Sequence, residues 1–180
     1  MSEAKRKNAS MGRLVLVLFA VTAIVALLLG LVDSITREKI AANTAEKTAQ
    51  AMRAVLEAES YEPVAFTDET GLVTAVYAAA GGGWVIEAAP SGFGGAINMV
   101  VGVKDGAVTG VSIVKMSETS GLGANAKNTG FREQYVGKSG TLAVNKDGGE
   151  IEALTGATVT SRAVTRGVNA ALAAAAALDD

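Results

Sequence analysis

The sequence predicts an α+β protein: a single N-terminal transmembrane helix followed by a compact extracytoplasmic domain of antiparallel strands with flanking helices. Three observations carry this expectation. Residues 14–32 form an apolar run without a charge, a proline or an amide side chain. Residues 96–115 alternate apolar and polar side chains in two arms around Asp105-Gly106. Residues 33–59 and the C-terminal stretch are rich in good helix formers.

The apolar run is long enough for a bilayer, which needs about 20 helical residues. Lys5, Arg6, Lys7 and Arg13 precede it against the single acid Glu3, and such positive flanks stay cytoplasmic. A cleaved secretory signal has a shorter apolar core and ends at small residues, so an uncleaved anchor is expected. The resulting organisation is a cytoplasmic N-terminus (1–13), a transmembrane helix (14–32), a helical stalk (33–59) and a folded domain (60–180). The stalk lacks glycine and proline, and its sparse stripe of Ile40, Thr44, Met52, Val55 and Leu56 predicts docking only near its end.

Within the domain, short β-rich runs at 72–77 and 84–88 are separated by the turn Gly81-Gly82-Gly83. A turn-rich segment, 90–95, follows. Ile97, Met99, Val101 and Val103 then share one strand face, Asp105-Gly106 supplies a tight turn, and 107–115 alternates again, which predicts a hairpin with a buried face. After a glycine-rich loop at 118–123 come a short helix around 131–136, two brief strands at 141–144 and 150–154, and a last helix from Thr160 or Ser161 to Leu178. Thr160 and Ser161 are its capping candidates. The acid pairs Asp68-Glu69 and Asp179-Asp180 read as solvated surface, and Trp84 and Phe93 as core aromatics before stacking partners.

Composition removes several function classes. With 16 basic and 18 acidic residues the chain offers no basic field for a phosphate backbone, so nucleic acid is not an expected partner. Residues beyond the apolar run hold 17 of those acids but only 12 of the basic residues, an acidic outer domain. The absence of cysteine and histidine leaves no disulfide, thiolate site, thiol catalysis or histidine base, and no catalytic residue or metal site is predicted.

One junction stands out. In Glu152-Ala153-Leu154-Thr155-Gly156-Ala157-Thr158-Val159-Thr160-Ser161, a strand end turns through small residues into a helix N-terminus, where backbone N–H groups and the helix dipole converge in a manner suited to a phosphate. Arg162 stands one turn in and could add a charge. Spacing alone favours an ordinary Thr/Ser capping cluster.

Thr155-Gly156-Ala157-Thr158 nevertheless resembles the S/T-G-A-T motif of the FMN-binding domain family, found in the G-type subunit of the Rnf electron transport complex and in the C-type subunit of the sodium-translocating NADH:quinone oxidoreductase. Glu118-Thr119-Ser120-Gly121-Leu122-Gly123 is similar to that family's E-T-P-G-L-G loop. Phe131-x-x-Gln134-Tyr135-x-Gly137-Lys138 and Gly92-Phe93-Gly94-Gly95-Ala96-Ile97 also fit, in the family's order along the chain. Two positions depart from the pattern: Glu152 stands where the motif usually has aspartate, and Ser120 where the loop usually has proline.

The resemblance implies FMN joined through its phosphate to Thr158 by a phosphoester bond, with Thr155, Gly156, Ala157, Thr160 and Arg162 near the attachment point. It implies that Glu118, Thr119, Gly121, Leu122 and Gly123 help to enclose the isoalloxazine ring. A threonine hydroxyl without an adjacent base is a poor nucleophile, and the family implies an external flavin transferase that takes FAD and releases AMP. The expected role is an electron-transfer subunit of a membrane-bound, ion-translocating ferredoxin:NAD+ oxidoreductase, acting with other membrane subunits and without independent catalytic activity. The expected location is the cytoplasmic membrane, single-pass, with the C-terminal domain outside. A component like the C-type subunit of the quinone reductase and a non-redox structural or sensory domain are the alternatives.

Overall fold

The computed structural model describes residues 2–179, with side chains from Met11 onward. The flank Lys5, Arg6 and Lys7 thus lies outside the described side chains, as does Asp180. No proline interrupts the chain before Pro63, and α1 runs Ser2–Val55. The chain divides into two compact units, residues 1–43 and 44–180. In the first, α1 carries an 18-residue window of mean hydropathy 3.1, a candidate membrane span. Its large apolar side chains, such as Phe19 and Leu27, are exposed.

The second unit is built on one five-stranded sheet: β1 (Tyr61–Val64), β2 (Val73–Ala79), β3 (Trp84–Ala88), β4 (Asn98–Lys104) and β5 (Ala107–Lys115). Every strand pairs antiparallel with its sequence neighbour, so the spatial order is β1-β2-β3-β4-β5. The β4–β5 turn forms at Asp105 and Gly106, both with positive φ (52° and 71°), the geometry that a two-residue hairpin loop requires.

Both sheet faces are covered. On one, Ile86, Met99, Val101, Val103 and Val111 pack with Ala163, Val164, Val168 and Ala171 of α3 (Thr158–Asp179). On the other, Ala51, Met52 and Val55 from the last turns of α1 pack on Val85 and Val100. The central residues of β4 are therefore buried on both sides of the pleat, where alternation had predicted a single buried face. Gly102 and Gly110 face each other across β4 and β5, and a Cβ at either would lie within 3 Å of the Val55 backbone. That bare patch lets the end of α1 reach the strands, and Thr109 Oγ1 donates to the Val55 carbonyl at 2.6 Å, satisfying one of the carbonyls a helix end leaves free.

Beyond β5 the regular pairing stops. A 3₁₀ turn (Gly123–Lys127), α2 (Thr129–Arg132) and two further 3₁₀ turns (Glu133–Tyr135 and Asn145–Asp147) lead to α3. The strands expected at 141–144 and 150–154 reduce to one parallel bridge, Val144 with Ile151. Side-chain amides supply the pairing that neighbouring strands would have given. Asn169 accepts from the Leu142 N–H (2.9 Å) and donates to its carbonyl (2.8 Å). Gln134 binds both backbone groups of Glu152 (2.7 and 3.3 Å).

Three other side chains have well-defined partners. Asp68 is no mere surface acid: its carboxylate accepts from the N–H groups of Thr70, Leu72 and Val73 and from the Thr70 hydroxyl. Desolvation pushes its pKa up, but these four donors outweigh it and hold the group at about 2. Trp84 is half-buried against the core, with Nε1 donating to Asp179 at 2.7 Å, so Asp179 too has a partner. Tyr135 is fully buried, edge-on to Phe131, and hydrogen-bonded to Thr165 at 2.9 Å; burial pushes its phenol up to about 12.

A cleft at the start of the last helix

α3 begins at Thr158, two or three residues before the expected start at Thr160 or Ser161, because neither proposed cap acts as one. Ser161 Oγ instead accepts from the Leu154 N–H (2.9 Å) and donates to the Ala157 carbonyl (3.0 Å). This cross-brace closes the turn through Gly156, whose φ of +73° is the left-handed conformation glycine tolerates. Thr160 Oγ1 donates to Glu118 Oε2 at 2.6 Å. With both hydroxyls so engaged, the first turn of α3 presents Thr158 half-buried beside N–H groups that have no intrahelical carbonyl to bind.

That turn forms one wall of a cleft of about 400 Å³, within the range of small-molecule sites. Its lining comes from three stretches distant in sequence: Phe93; Glu118, Thr119, Leu122 and Gly123; and residues 156–160. Of the residues expected near the attachment point, Gly156, Ala157, Thr158 and Thr160 meet here, and of the loop residues Glu118, Thr119, Leu122 and Gly123 do. Thr155 and Gly121 do not line the cleft, although Gly121 shapes the loop with a φ of +76°.

Arg162 is committed elsewhere. Its guanidinium meets Asp147 in a two-pronged contact (2.7 and 2.5 Å), a planar fork matched to a carboxylate. The contact holds the Asp147 carboxyl below its ordinary range and the guanidinium above its own. The charge expected near a phosphate is spent on the 3₁₀ turn that carries Asp147.

Glu118 is the one carboxylate among the lining residues. Oε1 accepts from the Gly94 N–H at 2.9 Å while Oε2 accepts from Thr160. The space around it is cleared by glycines: a Cβ at Gly92 would stand 2.3 Å from Oε1, and one at Gly123 2.6 Å from Oε2. The expectation that failed most plainly is Phe93. Read as core, it is 75% exposed and stands at the cleft mouth. The flanking glycines were the available signal, since they leave no strand to carry the residue inward.

A site of this kind suits FMN on three counts. The helix N-terminus favours an anion, Phe93, Leu122 and Val159 give apolar surface, and the volume admits a compact aromatic ligand. Comparison with known proteins agrees. Residues 92–173 match the FMN-binding domain family. The chain is 48% identical over 94 residues to the G subunit of the proton-translocating ferredoxin:NAD(+) oxidoreductase complex of Clostridium ljungdahlii, an alignment covering 49% of this chain and 51% of that protein. It is 33% identical over 182 residues to the G subunit of the Na(+)-translocating ferredoxin:NAD(+) oxidoreductase complex of Acetobacterium woodii, covering 87% of each. With the G subunit of the ion-translocating oxidoreductase complex of Methanosarcina acetivorans, identity is 29% over 172 residues, covering 89% of this chain and 92% of that one. With residues 92–173 as its FMN-binding domain, the chain belongs to the family of G-type subunits of ion-translocating ferredoxin:NAD+ oxidoreductase (Rnf) complexes.

Proposed function

We propose that this chain is the electron-carrying G-type subunit of such a complex and that it holds FMN covalently, through a phosphoester on Thr158. The observation that carries the reading is the placement of Thr158: first residue of α3, half-buried in the cleft wall. Val159 and Thr160 N–H groups of the first helical turn would hold the phosphate, and Leu122, Val159 and Phe93 would contact the ring. When bound, FMN supplies the redox chemistry; the chain binds it, orients it and limits its contact with water.

Attachment joins Thr158 Oγ1 to the FMN phosphorus of FAD. The bond between that phosphorus and the AMP oxygen breaks, AMP leaves, and the hydroxyl proton is released. Glu118, the carboxylate at hand, already accepts two hydrogen bonds, so a flavin transferase is the expected source of the base. Thr158→Ala is expected to fold normally and carry no flavin after denaturation, read by intact mass and visible absorbance. Flavin retained on the denatured variant would move the attachment elsewhere.

The proposed topology places residues 1–13 in the cytoplasm, the span at 14–32, and the stalk and FMN domain (33–59 and 60–180) outside, as the positive flank directs. A reporter active only outside the cytoplasm should work when fused after Asp180 and fail at the N-terminus. The opposite pattern would reverse the orientation.

A further inference from the structure

Phe93 is a large aromatic held in the open by unusually specific means. It stands at the tip of a tight turn, closed by the Ser91–Ala96 bridge and by the Gly92 N–H donating to the Gly95 carbonyl at 2.8 Å. The turn sits directly on the segment after β5: a Cβ at Gly94 would lie 2.1 Å from the Ser117 carbonyl oxygen, and one at Gly92 2.3 Å from Glu118 Oε1. With the glycine backbone seated this closely, Phe93 is turned toward the cleft rather than the core.

Glu118 holds this arrangement from the centre. One oxygen takes the Gly94 N–H and the other the Thr160 hydroxyl, so a single carboxylate fixes the Phe93 turn to the helical turn that begins with Thr158. Flat conjugated rings prefer offset or edge contact with aromatic side chains, and Leu122 and Val159, both nearly half exposed, complete an apolar lining around Phe93.

We propose that Phe93 is the aromatic wall against which the isoalloxazine ring lies, and that Glu118 is the positioning residue that keeps it there. This rests on the reading that FMN is attached at Thr158. Phe93 touches the cofactor; Glu118 acts through the turn.

The test uses the full-length, flavin-loaded chain in detergent. Phe93→Trp places an electron-donating indole at the same point, and an indole in ring contact quenches the excited flavin. Fluorescence per attached flavin is expected to fall well below that of the wild type. Glu118→Ala removes both acceptor oxygens, so neither the Gly94 N–H nor the Thr160 hydroxyl keeps its bond to this side chain. Added to Phe93→Trp, it should restore at least half of the lost emission. Thermal melting run in parallel exposes a purely structural effect, which would lower stability without restoring emission.

Unchanged emission in Phe93→Trp, at equal flavin content, overturns the stacking role. Undiminished quenching in the double variant overturns the role of Glu118. A wild-type chain without flavin after denaturation sinks the reading beneath both, and is distinguishable because no emission remains to compare.

Discussion

In the five-stranded sheet each strand pairs with its neighbour in sequence, and a repeated apolar pattern supplies the core. In residues 116–157 there is one isolated bridge, and individual side chains carry the structure: Glu118, Gln134, Ser161 and Asn169 each bind backbone from a stretch far along the chain or across a turn. The sheet is redundant, because many similar contacts share its stabilisation. The site segment is specific, because each bond has one donor and one acceptor, and each is lost whole when one side chain changes.

The difference can be broken or sharpened by substitution. Ile86 is fully buried in the sheet core. Ile86→Ala should cost about 2–5 kcal/mol, the largest expected effect on stability, yet leave flavin per folded molecule unchanged; denaturant titration with flavin absorbance checks both. A flavin content falling faster than the folded fraction would show that sheet and site are not separable. Gly123→Val drives a Cβ into the Glu118–Thr160 contact, 2.6 Å from each oxygen. Overpacking of this kind costs about 1–3 kcal/mol, and here it should also shift the visible spectrum with attachment intact. A destabilised protein with an unaltered spectrum would remove the loop from the site.

The smallest effect is expected at Arg162. Exposed ion pairs contribute little, and the guanidinium faces Asp147 rather than the cleft. Arg162→Gln should therefore leave flavin content and melting temperature close to wild type. A marked loss of flavin would instead place the side chain at the phosphate and restore the role that spacing suggested.

Periodicity made four of the five strands readable, and β1 was not among those expected. The edges 84–88 and 107–115 match β3 and β5, and Asp105-Gly106 marked the hairpin, because alternation and turn chemistry are local. What was not readable depended on partners distant in sequence. Val100 and Gly102 gain their second burial from α1, whose approach is permitted by Gly110 across the strand. The runs at 141–144 and 150–154 have strand-like composition, but their hydrogen bonds go to Asn169 and Gln134. At the cleft, the motif resemblance pointed to Thr158 and to the loop, and both contribute to its lining. It could not anticipate that Thr160 and Ser161 would bond to Glu118 and Ala157 and move the helix start. Nor could it reveal that glycines beside Phe93 would turn that ring outward.

The neighbour-to-neighbour strand order also favours one order of assembly. Each hairpin closes a short stretch of chain, so the sheet can zip up early and fast. The cleft, by contrast, is incomplete until the last element, α3, returns across that sheet and brings Thr158 to Glu118 and Phe93. The Thr158 hydroxyl proposed as the flavin acceptor is thus presented in these surroundings only once α3 is in place. A maturation enzyme that recognises those surroundings would modify completed chains and pass over truncated or misassembled ones, making the order of assembly a proofreading step in its own right.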